Sequence, residues 1–300
     1  MRKEIRSALI LLLAAAIWGF AMAAQRQAAQ YLMPFTFNAC RFTLGAVTLL
    51  PVMLAESRRT ETPLTKRSAL PGMLLGAVLT IAAVLQQMGV EGAGAGKAGF
   101  LTALYVVLVP VFGIFLRKKT RFTTWLALLL ALPALYLLCV PAGEGFSLAA
   151  SDSWLMLSAV FWAVHILLLD QLVVRISALK LCVMQFSTAA VLSWILAAVT
   201  EPITAANLLS ALWPLAYCGI LSTGLGYLLQ ALGQKGCKPA LAALIMSLES
   251  VFCVIAGAML LGERMEGRGY AGCALMLLAV LLAQCGAFWP PSKEETRVSA

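Results

Sequence analysis

Charge is scarce in this chain. Only 12% of its 300 residues are charged, against about 25% in soluble domains, and no stretch between apolar runs is long enough to fold as a soluble domain. The eight cysteines include no C-x-x-C pair, and His165 is the sole histidine. A zinc site or a disulfide framework is therefore not expected, and the cysteines read as small apolar packing residues. The apolar runs also lack facing carboxylates, a Ser/His/Asp set and a metal-ligand cluster. No catalytic residue, metal or cofactor is expected, and the chain does not read as an enzyme.

A phosphate cradle is missing too, although "EGAGAGKAGFLTALYVVLVP" (91–110) imitates one. A P-loop needs glycine, four residues and then Gly-Lys-Ser/Thr, so that backbone N–H groups wrap phosphates while a hydroxyl holds Mg²⁺. Five residues before Gly96 stands Glu91, and Lys97 is followed by Ala98. The apolar run that follows is of bilayer length. "GRGYAG" (267–272) has dinucleotide-binding glycine spacing but no strand before it, and reads as small-residue helix packing.

What the chain does have is apolar residues: 62% of the total, with mean hydropathy +0.92. They fall in ten runs, near 7–25, 34–55, 69–88, 97–116, 122–140, 153–170, 180–199, 210–233, 239–262 and 269–289. A membrane helix needs about 20 such residues. The first run follows Arg2, Lys3 and Arg6 without a clear small-residue cleavage site, and reads as a retained helix. The net charge of +9 does not require a nucleic acid, because all Lys and Arg but Arg26, Arg41, Lys97, Arg264 and Arg268 fall in the even-numbered connections and the tails. The positive-inside rule then sets both termini in the cytoplasm, with a cell inner (plasma) membrane as the expected location.

The chain also repeats itself. An offset of 144 aligns Trp18 with Trp162, Arg41 with Gln185, Phe42 with Phe186, Gln86 with Gln230 and Gly89 with Gly233; an offset of 140 then aligns Val111-Phe112 with Val251-Phe252. The expected fold is an all-α integral membrane protein, ten transmembrane helices as two inverted five-helix repeats, because five crossings reverse the entry of the second copy. The first repeat is expected over 1–143 and the second over 144–300, with a short cytoplasmic tail. Inverted repeats are a recurring transporter architecture with the site at their interface. The hairpin 91–99 reads as a hinge or gate edge, or as a solvated loop.

"WGF" in span 1, "RF" in span 2, "GFLTALYVVLVPVFG" in span 4, "FWAVHIL" in span 6, "GLGYLLQALGQK" in span 8 and "ALIMSLESVFCVIAGAMLLGER" in span 9 together resemble the drug/metabolite transporter superfamily, EamA type. The resemblance implies a central cavity lined mainly by spans 1, 3, 4, 6, 8 and 9, with spans 2, 5, 7 and 10 peripheral. It also implies transport of small metabolites without ATP, often export of amino acids or related compounds. Relatives usually carry Glu-Pro in span 9 where this chain has Glu249-Ser250, so that helix need not kink or free a backbone carbonyl, and the hinge behaviour that the resemblance implies for it stays open.

Ionisable residues within spans are costly and mark function by default. Glu249 is the first candidate for proton coupling or for a substrate amine. His165, one turn from Trp162 and Phe161, is the second candidate for proton coupling and for cavity lining. Gln86 and Gln230 are candidates for a zwitterionic substrate or for interhelical hydrogen bonds. Tyr105, Tyr227, Trp18 and Trp162 are candidate lining residues, the tryptophans also suiting interfacial anchoring. Arg41, on peripheral span 2, reads as a structural tie. Asp152, Asp170, Glu263 and Arg264 read as caps or interfacial charges.

The expected function is secondary active transport of a small polar metabolite by alternating access, outward and proton-linked; the alternative is a lipid-linked flippase or a non-transporting membrane scaffold. Expected partners are a small-molecule substrate and the lipid bilayer, without nucleic acid, and a homodimer stays open.

Overall fold

A computed structural model describes residues 2–60, 65–92, 95–140, 149–261 and 267–288. All regular elements among them are helical, as hydrocarbon demands of a backbone that must satisfy its own hydrogen bonds. Seven helices are long and apolar enough to cross a membrane, and the shorter apolar helices Gly99–Phe115, Phe122–Leu138 and Gly267–Ala283 complete the ten spans. The hinge reading of 91–99 falls partly outside the described residues, as do Glu263 and Arg264.

Spans 1 to 3 are α1 (Arg2–Ala28), α2 (Pro34–Arg59) and α3 (Lys66–Gly92). Span 4 is divided into α4 (Ala95–Ala103) and α5 (Tyr105–Phe115), and span 5 is α6 (Phe122–Cys139). Spans 6 and 7 are α7 (Ala150–Leu172) and α8 (Ala178–Thr200); the short α9 (Ala205–Ser210) leads into span 8. That span joins α10 (Leu212–Ala216), a π-helical stretch (Tyr217–Gly226) and α11 (Tyr227–Gln234). Span 9 is α12 (Pro239–Met246) and α13 (Glu249–Leu261), and span 10 is α14 (Gly267–Phe288). Proline opens α2 and α12, where its missing N–H costs nothing. Asp152 accepts the Ala149 N–H at 2.6 Å at the start of α7, as its reading as a cap required.

The two halves of the chain interleave. α6 packs on α14, α2 on α8, α3 on α7 and α8, and α1 on α13, so each of the three larger hydrophobic clusters draws residues from both halves. Side chains such as Phe115, Val199 and Met259 stay exposed on the outer surface, which suits a lipid-facing wall rather than a soluble one. Polar ties secure α2 to α8: Trp194 Nε1 donates to Thr43 Oγ1 at 3.0 Å and the Ser177 hydroxyl to Glu56 Oε2 at 2.6 Å. The "GRGYAG" glycine Gly272 lies where a Cβ would stand 2.8 Å from the Ala134 carbonyl oxygen, the close helix contact its small size allows.

Span 9 breaks without a proline. The Ser247 hydroxyl bonds back to the Leu244 carbonyl at 2.7 Å, and Leu248 and Ser250 bond to carbonyls three residues back. This local tightening ends α12 and starts α13 at Glu249. Proline is not needed for the break at Glu249-Ser250: a serine that competes for backbone carbonyls separates the half-helices. Span 4 breaks similarly at Leu104, ahead of Pro110, and α5 starts at Tyr105.

Candidate functional site

The broken helices meet at a cavity between the repeats. Trp18, Met22 and Gln25 reach it from α1, Arg41 from α2 and Gln86 from α3. Thr102 and Tyr105 flank the span-4 break, Trp162 and Ile166 come from α7, and Ser222, Tyr227 and Gln230 from span 8. Met246 and Glu249 flank the span-9 break. The free volume is about 70 Å³, room for about five waters. The equivalent pairs Trp18/Trp162 and Gln86/Gln230 thus line one cavity.

Seven of the eight expected site residues converge here: Trp18, Gln86, Tyr105, Trp162, Tyr227, Gln230 and Glu249. His165 does not line the cavity. It is fully buried one layer behind, 6.0 Å from the Trp162 ring and 6.1 Å from the Tyr227 ring, and its Nε2 pairs with Gln185 Oε1 at 2.9 Å. The helical spacing placed it on the Trp162 side of α7 but could not say which neighbour would cover it.

The aromatic wall is held in place by specific contacts. The Trp18 ring meets Tyr227 edge-on at 5.1 Å, and its Nε1 donates to the Ser222 carbonyl at 3.1 Å within the π-helical stretch. A π-helix shifts the backbone pairing and is favoured at functional sites. Tyr227 also lies 6.4 Å from Trp162 and 5.6 Å from Phe186, so one ring bridges the wall to the core behind it.

Arg41 is the lining residue that sequence reasoning placed elsewhere. It is buried, and its guanidinium lies 5.3 Å from the Phe37 ring and 4.8 Å from the Phe42 ring. Span 2 was expected at the periphery, but a Cβ on Gly45 would stand 2.5 Å from Thr223 Cγ2, and one on Gly219 would stand 2.5 Å from Leu44 Cβ. These glycines let α2 approach the π-helical stretch, and Arg41, one turn earlier, then reaches the cavity. Among the described residues neither Arg41 nor Glu249 has an ion-pair partner, and Arg41 Nε, Thr102 Oγ1, Trp162 Nε1 and Gln230 Oε1 are buried without a hydrogen-bond partner. An arginine at bilayer depth costs at least about 2.5 kcal/mol. The cavity therefore offers unsatisfied donors, an unsatisfied amide oxygen and a free carboxyl.

A second, larger space of about 980 Å³ opens at the basic end of the bundle, between Lys3, Glu4, Lys118, Asp170, Lys235 and Lys238. Arg117 takes a left-handed conformation (φ 54°), and the Arg117 and Lys118 N–H groups bond back to Ile114 and Gly113, closing the last turn of α5. That turn delivers Lys118 to an ion pair with Asp170 at the end of α7. Asp170, read as an interfacial charge, thus ties the two halves together. Gln234 lines this vestibule, Ile166 lines the deeper cavity, and Gln234 Nε2 donates to the Ile166 carbonyl at 3.0 Å between the two spaces.

The comparisons with known proteins agree with this architecture. An uncharacterized transporter of Archaeoglobus fulgidus is 26% identical over 281 residues, 93% of this chain and 86% of that protein. A protein of known crystal structure superposes with a TM-score of 0.78 at 19% identity, covering 93% of this chain and 98% of its own, which bears on the fold alone. The EamA-like transporter family matches twice, over residues 5–140 and 149–284. This chain is a multi-pass membrane protein that belongs to the EamA-like transporter family.

Proposed function

We propose that this transporter is a secondary active exporter of a small polar metabolite, an amino acid or related compound, working by alternating access and driven by protons. The observation that carries this reading is the convergence of Glu249, Gln86, Gln230 and the aromatic residues Trp18, Tyr105, Trp162 and Tyr227 on one cavity between the repeats. Amides suit the polar groups of a zwitterion, the rings suit an apolar side chain, and Glu249 suits an amine or a proton. The helix breaks at Leu104 and Ser247-Leu248 supply the discontinuous spans on which such sites are built. Five spans in each repeat support domains over 1–143 and 144–300. The cationic vestibule supports a cytoplasmic basic end in the plasma membrane, with both termini inside. On this reading the protein moves its substrate without changing it, and is not an enzyme.

Counterflow in proteoliposomes tests the reading. Vesicles loaded with one unlabelled L-amino acid are given the same amino acid labelled outside, across the protein set, with and without a pH gradient. Transient accumulation that a pH gradient increases supports it. Absence of counterflow across the set, together with movement of a labelled lipid between leaflets, would favour the flippase instead.

A further inference from the structure

We infer that Arg41 is the seat of a ligand carboxylate in the central cavity. The inference rests on the transport reading for its biological sense but not for its test. Arg41 lines the cavity, is only 4% exposed, has no ion-pair partner among the described residues, and its Nε is buried without a hydrogen-bond partner. A guanidinium presents a planar fork of donors that matches a carboxylate bidentately. The Phe37 and Phe42 rings stand beside it, and apolar neighbours of this kind strengthen any anion contact that forms. Thr102 Oγ1 and Trp162 Nε1, two more unpartnered groups on the same cavity, can add neutral donors.

Burying an arginine without an anion is unfavourable, and removing one member of a buried pair leaves just such a charge. Glu249 does not relieve Arg41, since no ion pair joins them, so an incoming anion is the compensating partner. Arg41 carries a single positive charge, which balances a carboxylate monoanion but leaves a phosphate dianion with an uncompensated buried charge. At the position of Arg41 the second repeat carries Gln185, which is occupied by His165. The anion seat is accordingly single, and it gives the two-fold arrangement of the cavity a direction.

The test is direct binding to the purified full-length protein in nanodiscs, by calorimetry and thermal shift. The probes are L-amino acids, each with its α-amide and its decarboxylated amine, plus acetate and inorganic phosphate. At least one amino acid is expected to bind about tenfold to a hundredfold more tightly than its amide and amine. Arg41→Gln is expected to abolish that difference and Arg41→Lys to retain part of it. The comparison of acid with amide needs no variant, so poor folding of Arg41→Gln does not block it. Equal binding of acid and amide, phosphate binding in preference to every carboxylate, or no carboxylate binding at 10-fold excess over any amine that binds would overturn the inference. Carboxylate-dependent binding without counterflow would leave the seat standing and remove the transport reading; counterflow with the same KM in Arg41→Gln would do the reverse.

Discussion

Glu201 holds Thr36 twice, accepting its backbone N–H and its hydroxyl, each at 2.6 Å, and a third bond comes from the Phe35 N–H at 2.8 Å. Glu201 follows α8, while Thr36 lies in the first turn of α2, where Met33 supplies no side-chain cap. A carboxylate from the second half of the chain therefore caps a helix of the first. Glu201→Ala should cost about 1 to 3 kcal/mol, read as a fall in thermal unfolding temperature, with Glu201→Gln losing less. An unchanged unfolding temperature in Glu201→Ala would remove the cap from the account of how the halves are joined.

Glycine at position 19 is required by contact rather than by backbone conformation. A Cβ there would stand 2.4 Å from Phe252 Cβ and 2.7 Å from the Glu249 carbonyl oxygen, whereas one on Gly224 would meet nothing nearer than 3.5 Å. Gly19→Ala should destabilise by about 1 to 3 kcal/mol, and Gly224→Ala by clearly less. Paired thermal unfolding curves decide it: equal losses would mean that α1 and α13 separate easily.

Much of this fold is legible in the sequence because its signals are long. Ten apolar runs, one-sided lysines and arginines, and a repeat that pairs Trp18 with Trp162 survive errors of several residues. Where a side chain points depends on shorter features. Arg41 was assigned to the periphery because span order alone does not reveal that Gly45 and Gly219 bring α2 against the π-helical stretch. His165 was expected on the cavity surface, yet its pairing with Gln185 turns it behind Trp162 and Tyr227. The absence of proline leaves the course of span 9 open in the sequence, and the Ser247 back-bond that breaks it is too local a feature for the apolar pattern to reveal.

The Lys118–Asp170 pair sits at the rim of the vestibule that Cys237 lines. Burial, with help from the charges of Glu4 and Asp170, pushes the Cys237 thiol up to about 12. Its thiolate fraction should then grow about tenfold per pH unit from 7 to 10. In a protein keeping Cys237 as its sole cysteine, maleimide labelling should follow that slope. Asp170→Asn removes one raising charge and the tie between halves, and should speed labelling several-fold at every pH, while costing no more than about 1 kcal/mol because the pair is partly exposed. Equal labelling rates in both proteins would mean that the pair does not restrict this end.

Glu249 stands at the start of α13, directly after the span-9 break, and faces the cavity without a hydrogen-bond partner among the described residues. Glutamine keeps its shape and one acceptor but cannot release a proton. If Glu249 couples protons to substrate, Glu249→Gln should still exchange substrate across proteoliposomes while accumulation driven by a pH gradient falls about tenfold or more. The difference arises because exchange needs only that the loaded carrier change access, whereas accumulation needs a group whose charge differs between the two sides. A purely structural role predicts something else: folded yield, exchange and accumulation would fall together. An unchanged pH-driven accumulation would exclude Glu249 as the coupling group, and His165, held behind the cavity wall by Gln185, would have to reach the substrate path by a movement of Trp162.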